Sequence, residues 1–123
     1  MQKKNKVAIV GASDKADRVS NQLLKRLLAK GYEVFPINPA LKTIEGVAVY
    51  PNLGALPKGI DVLSIYLGKE RSDPLEQAMI DSGIPRMIFS PGAENPELEK
   101  RLAEKGIEVE DACSLVLLSL DQL

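Results

Sequence analysis

The chain has 123 residues, 45% hydrophobic and 27% charged, the size and balance of one globular domain rather than a disordered or fibrous chain. It holds no histidine, no tryptophan and a single cysteine, which excludes Ser-His and Cys-His catalysis, an internal disulfide and a histidine-anchored zinc site. Its net charge of -1 implies no general attraction to nucleic acid or to an anionic membrane surface.

The start, Met1-Gln2-Lys3-Lys4-Asn5-Lys6, is basic, but the apolar stretch after it stops at Ala12, too short for the core of a secretory signal. Apolar runs such as Ser114 to Leu120 fall far short of the roughly 20 residues that cross a bilayer. A cytoplasmic protein is the expectation.

The first apolar run, Lys6 to Val10, lacks alternation and predicts a strand buried on both faces, as in a parallel sheet covered by helices. Val19, Leu23, Leu24, Leu27 and Leu28 then fall at helical spacing, with Lys25, Arg26 and Lys30 opposite, and Gly31 ends the helix. A second strand runs from Glu33 to Ile37, where Pro36 favours an edge position. Val47 to Val49 reads as a short third strand and Ile60 to Tyr66 as a fourth, central one.

Asp73-Pro74 and Asn95-Pro96 each place a capping side chain before a proline at the first helical position, and Asp73 with Glu76 fits a capping box. The two helices stop at Gly83 and Gly106 and lead into runs from Arg86 to Phe89 and from Ile107 to Glu110. Ser114 is placed to cap a last short helix through Leu120. Strict alternation with short connections predicts right-handed βαβ crossovers, hence one α/β domain over residues 1–123 with a doubly wound, mostly parallel sheet in three layers.

Such a sheet binds ligands beyond the carboxyl ends of its strands, where the strand order reverses. The loop after the first strand, Gly11 to Arg18, keeps the first glycine of a dinucleotide fingerprint but has Ser13 and Ala16 where the others would stand. The turn survives, Ser13 offers a hydroxyl, and Lys15 and Arg18 offer charge to a phosphate at the helix start; a solvated turn is the alternative. At the end of the second strand a ribose-binding acid is replaced by Asn38, followed by Pro39, Ala40, Leu41 and Lys42, which argues against ordinary NAD and equally suits a plain turn.

Tyr66 reads as a residue that lies over a ligand ring or arm, or as packing, and Lys69 as a phosphate contact. Ser90-Pro91-Gly92-Ala93 closes another side of the cleft or forms a turn. Cys113 follows Asp111 with no cation beside it to favour a thiolate, and reads as a buried structural cysteine.

The stretches Val10-Gly11-Ala12-Ser13, Arg18 with Ser20, and Gly31-Tyr32-Glu33-Val34-Phe35-Pro36-Ile37-Asn38-Pro39 carry a family resemblance. Tyr50-Pro51-Asn52-Leu53 before Pro57 and Ile60-Asp61-Val62-Leu63 extend it from Val7 to Cys113. The sequence resembles the small stand-alone CoA-binding proteins of bacteria and archaea, whose Rossmann-like domain is shared with the amino-terminal part of the succinyl-CoA synthetase alpha subunit. The resemblance implies CoA or an acyl-CoA as ligand. Its adenosine diphosphate would be held by Gly11, Ala12, Ser13, Arg18, Asn38 and Pro39, with Lys42 and Tyr66 nearby.

Relatives often have proline at position 19 and histidine at position 21, where this chain has Val19 and Asn21. The synthetases use a phosphorylated histidine on another domain, so the resemblance implies no ligase chemistry by this chain alone. The expectation is a CoA binder with no catalytic residue and no metal. The alternatives are a module for NAD(P) or another nucleotide, and an interaction subunit that forms a homodimer or meets a partner through the apolar Leu115 to Leu120 helix.

Overall fold

The computed structural model describes residues 4–123; the first three residues of the basic start lie outside them. Strand β1 (Lys6–Val10) leads through helix α1 (Val19–Ala29) to β2 (Glu33–Ile37). A small hairpin, β3 (Thr43–Ile44) with β4 (Val47–Ala48), and a 3-10 turn at Leu53–Ala55 precede β5 (Val62–Ile65). Helix α2 (Lys69–Ser72), a 3-10 turn at Asp73–Leu75 and α3 (Glu76–Asp81) lead to β6 (Arg86–Phe89). Helix α4 (Pro96–Glu104), β7 (Glu108–Asp111) and α5 (Ser114–Ser119) complete the order.

The five long strands form one parallel sheet in the order β2-β1-β5-β6-β7. Side-chain alternation along β1 feeds two apolar layers. Val7 and Ile9 join Leu23, Leu24 and Leu27 of α1 and Leu118 of α5 on one face. Ala8 and Val10 join Met79 of α3 and Leu98 and Leu102 of α4 on the other. Each of these fully buried leucines contributes on the order of 2 kcal/mol by leaving water, and the sheet between the layers is the doubly wound, Rossmann-like arrangement its alternating pattern predicts.

Pro36 sits on an edge strand, and its carbonyl accepts from the Tyr50 amide at 2.9 Å. The Val47 to Val49 segment does not join the main sheet. Glu45 and Gly46 both have positive φ, 51° and 78°, so the chain turns back on itself in two residues and pairs β4 with β3 instead. A bridge between Ile37 and Tyr50 links that region to the sheet edge.

The capping expectations divide. Asn95 caps α4, accepting from the Leu98 amide, while its own amide donates to Glu99. Asp73 caps nothing, because helical backbone already begins after Gly68 and runs through it. Its carboxylate is used across elements instead, accepting from Asn95 Nδ2 at 2.7 Å and from Lys69 Nζ at 3.1 Å. These two donors, Asn95 first, hold the Asp73 carboxyl below the usual range. Ser114 likewise lies inside α5 rather than capping it; its buried hydroxyl hydrogen-bonds Ser64 of the central strand at 2.7 Å. Helix α5 packs Leu118 on the sheet and leaves Val116 and Leu120 exposed.

Candidate functional site

From β1 the chain crosses to β2 on one side, and after β2 it returns past β1 to β5 on the other. The strand order therefore reverses at β1, and the helices that follow β1 and β5 pack on opposite faces of the sheet. A cleft of about 920 Å3 opens at this point, beyond the carboxyl ends of the strands. Gly11 makes its floor possible. It has φ +84°, and a β-carbon there would lie 2.6 Å from the Tyr66 carbonyl oxygen. The two loops can approach only because position 11 has no side chain.

The following residues bind the cleft walls together. The Ala12 amide donates to the Ile37 carbonyl at 3.2 Å, and Asn38 Nδ2 donates to the Ala12 carbonyl at 2.9 Å. Asn38 Oδ1 accepts from the amides of Ala40 (2.8 Å) and Leu41 (3.1 Å). Asn38 thus folds its own turn and fastens it to the first loop, which makes it a positioning residue. Ser13 Oγ accepts from the Lys15 amide at 3.1 Å, and the Ser13 carbonyl accepts from the buried Asn21 side chain at 3.0 Å. Asn21 is therefore part of the loop's scaffold.

Helix α1 starts at the cleft with no side chain capping it, so its first amides and the positive end of its dipole are left for whatever occupies the site. Lys15, Arg18 and Arg71 line the cleft and none is in an ion pair among the described residues. Asp14 and Asp17 line it too, so its charged side chains leave an excess of one positive charge before the helix end is counted. Among the described residues no group of histidine, cysteine, aspartate and glutamate side chains is arranged to hold a metal ion.

The far wall is uncharged. Tyr66 at the exit of β5, Ser90 and Pro91 at the exit of β6, and Cys113 after β7 stand side by side along it. The Tyr66 hydroxyl lies among Ser90, Ser64 and Ser114, and burial pushes the phenol above its ordinary value. Among the described residues neither the Tyr66 hydroxyl nor Ser90 Oγ, both out of water, completes a hydrogen bond. Cys113 is a half-buried free thiol on this wall and belongs to neither apolar layer, which corrects the expectation of a buried structural cysteine. The turn after β7 releases it to the wall while Ser114 takes the inward position.

Of the residues singled out in the sequence, Gly11, Ala12, Ser13, Arg18, Asn38, Pro39 and Tyr66 all line one cleft. Lys42 does not: its carbonyl accepts from Val49 beside the hairpin, and its exposed side chain stands outside the lining. Lys69 does not either, being held by Asp73; Arg71, two residues on, reaches the cleft in its place. Helical phase separates the two, and it becomes readable only once α2 is known to start after Gly68.

Residues 5–119 match the family described as CoA binding domain. The chain belongs to that family. The uncharacterized protein YneT of Bacillus subtilis is 28% identical over 106 residues, which cover 86% of this chain and 78% of that protein. A solved uncharacterized protein superposes with a TM-score of 0.92 at 28% identity, covering 99% of this chain and all of the other. A conserved hypothetical protein from Pyrococcus furiosus does so with a TM-score of 0.83 at 34% identity, covering 91% and 97%. Ligases share the domain within much longer chains. The ADP-forming acetate–CoA ligase I of Archaeoglobus fulgidus is 27% identical over 108 residues, 80% of this chain but 15% of the ligase.

Proposed function

We propose that residues 1–123 act as one unit that binds CoA or an acyl-CoA and performs no catalysis of its own. The adenosine diphosphate part lies over Gly11, Ala12 and Ser13 at the uncapped start of α1, with Arg18, Lys15 and Arg71 facing its phosphates. Pro39, in the turn that Asn38 fastens, borders the adenosine. Tyr66 flanks the pantetheine arm. Lys42, outside the cleft lining, has no part in this reading.

The observation that carries the proposal is the pairing of an uncapped helix start and three unpaired cations with a β2 exit that has an amide instead of an acid. A carboxylate at that exit would accept from the ribose hydroxyls of NAD and repel a ribose phosphate. Asn38 has its oxygen committed to two backbone amides, and it brings no negative charge near the 3′-phosphate of CoA. Without histidine the cleft has no imidazole to move a proton, and the serines on its far wall have no base beside them.

Calorimetry with CoA, acetyl-CoA and NAD at low salt tests the proposal. The expected result is heat with CoA or acetyl-CoA, weakening as salt is raised, and little with NAD. Binding of NAD in preference to both CoA species would overturn it.

A further inference from the structure

The uncharged end of the cleft holds a thiol and an unsatisfied hydroxyl side by side. Ser90 is 2% exposed and lines the cleft, and its Oγ, beside the Tyr66 hydroxyl, completes no hydrogen bond among the described residues. A buried polar atom left unpaired is costly, and one on a cleft wall points to an occupant that completes it. Cys113 lines the cleft in the next strand position. It is the one cysteine in the chain.

Distance connects this end to the phosphate end. β1 and β7 are three strand spacings apart, roughly 14 Å. The pantetheine arm has about the backbone bonds of four extended residues, roughly 13–14 Å from diphosphate to sulfur. A ligand with its phosphates at the β1 exit therefore carries its own thiol to the exits of β6 and β7, and its arm passes the wall that holds Tyr66 and Ser90.

We propose that Cys113 is a redox capture site that joins the CoA sulfur in a reversible mixed disulfide, an inference that rests on the CoA reading above. The oxidant is a disulfide of CoA itself. The Cys113 thiolate attacks one sulfur of the CoA disulfide, the bond between the two CoA sulfurs breaks, and a bond between Cys113 Sγ and one CoA sulfur forms. The other CoA leaves as thiolate and takes up the proton that Cys113 gave up. Cys113 is oxidised, one CoA sulfur is reduced, and excess thiol reverses the step. The nucleotide end supplies the selectivity, because a ligand anchored there presents its sulfur to Cys113 at a high effective concentration.

The test uses the wild-type protein with two disulfides, those of CoA and of glutathione, followed by intact-mass measurement of the adduct. CoA disulfide is expected to add faster by on the order of 10²-fold at equal concentration, the gain from anchoring the reactant. Adenosine 3′,5′-bisphosphate, which occupies the nucleotide end alone, is expected to slow that reaction towards the glutathione rate. Calorimetry with CoA in the presence of a phosphine reductant, where no disulfide forms, reports the CoA reading separately. Heat there together with equal rates for the two disulfides overturns the capture site and leaves the CoA proposal standing. No heat there overturns the CoA proposal itself. A rate advantage that adenosine 3′,5′-bisphosphate does not diminish overturns the anchoring argument.

Discussion

Replacing Gly11 by alanine tests the claim that the cleft exists because two loops touch at backbone level. A β-carbon at position 11 would stand 2.6 Å from the Tyr66 carbonyl oxygen and 2.9 Å from the carbonyl carbon, against ordinary contacts of 3.4–4 Å. Neither atom belongs to a side chain that can rotate away. The Tyr66 amide is itself tied to the Val10 carbonyl at 2.9 Å, so the exits of β1 and β5 must separate together. Gly31 provides the internal control: it has the same φ of +84°, and nothing lies within 4 Å of its added carbon.

Alanine in the left-handed region costs about 1–2 kcal/mol at either site. The small gain from a less flexible unfolded chain is also common to both. Overpacking against fixed backbone adds about 1–3 kcal/mol at position 11 alone. Urea denaturation should therefore show a loss of about 1–2 kcal/mol for Gly31→Ala and about 2–5 kcal/mol for Gly11→Ala. CoA binding should be lost only in the second. Equal losses, or a smaller loss at position 11, would refute the idea that the approach of Gly11 to Tyr66 shapes the site.

Arg18→Ala should weaken CoA binding by about 1–3 kcal/mol through a lost charge-assisted contact. The same variant should change stability by less than about 0.5 kcal/mol, since Arg18 is exposed and in no ion pair among the described residues; unchanged affinity in calorimetry would remove it from the site. Asn38→Ala releases the Ala12 carbonyl and the amides of Ala40 and Leu41, and should cost about 1–3 kcal/mol in a denaturation curve. A neutral result there would mean that Pro39 alone holds the turn. For Asp73, whose carboxyl lies below its usual value, the stabilising contribution is full above the ordinary aspartate range and disappears as pH falls through the lowered folded-state value. The gap between wild type and Asp73→Asn in urea midpoint should accordingly close in acid, and a gap independent of pH would contradict the linkage.

The parts of this molecule that a sequence displays are those set by local chemistry. The strand exits at Gly11, Asn38 and Tyr66 follow from runs of apolar residues ending in turn formers, and all three meet in one cleft. The failures come where a distant partner outcompetes a local rule. Asp73 before Pro74 has the pattern of a cap, yet helical backbone is already established there and the carboxylate serves Asn95 and Lys69. Ser114 also stands where a cap is expected, and it hydrogen-bonds inward to Ser64, fifty residues away in the chain. Cys113 was least legible, because a half-buried cysteine on a cleft wall and a core cysteine have the same sequence neighbours.

The two ends of the cleft are built from different kinds of group, and that asymmetry bears on what fits. At the β1 and β2 exits the groups available are backbone amides, a helix dipole and the Lys15 and Arg18 side chains, and Arg71 lines the cleft from α2 after β5. At the β5, β6 and β7 exits they are neutral hydroxyls and one thiol. A dinucleotide has a sugar and a ring at both ends and its charge in the middle, so half of it would lie where the β6 and β7 exits provide no carboxylate for a ribose. A ligand with a polyanionic head and a long neutral tail ending in sulfur uses each set of groups once. The hydroxyl of Ser90 then becomes a measure of the tail: filling that wall with an apolar residue, as in Ser90→Val, should weaken CoA while leaving adenosine 3′,5′-bisphosphate unaffected. Equal effects on the two ligands would place the tail elsewhere.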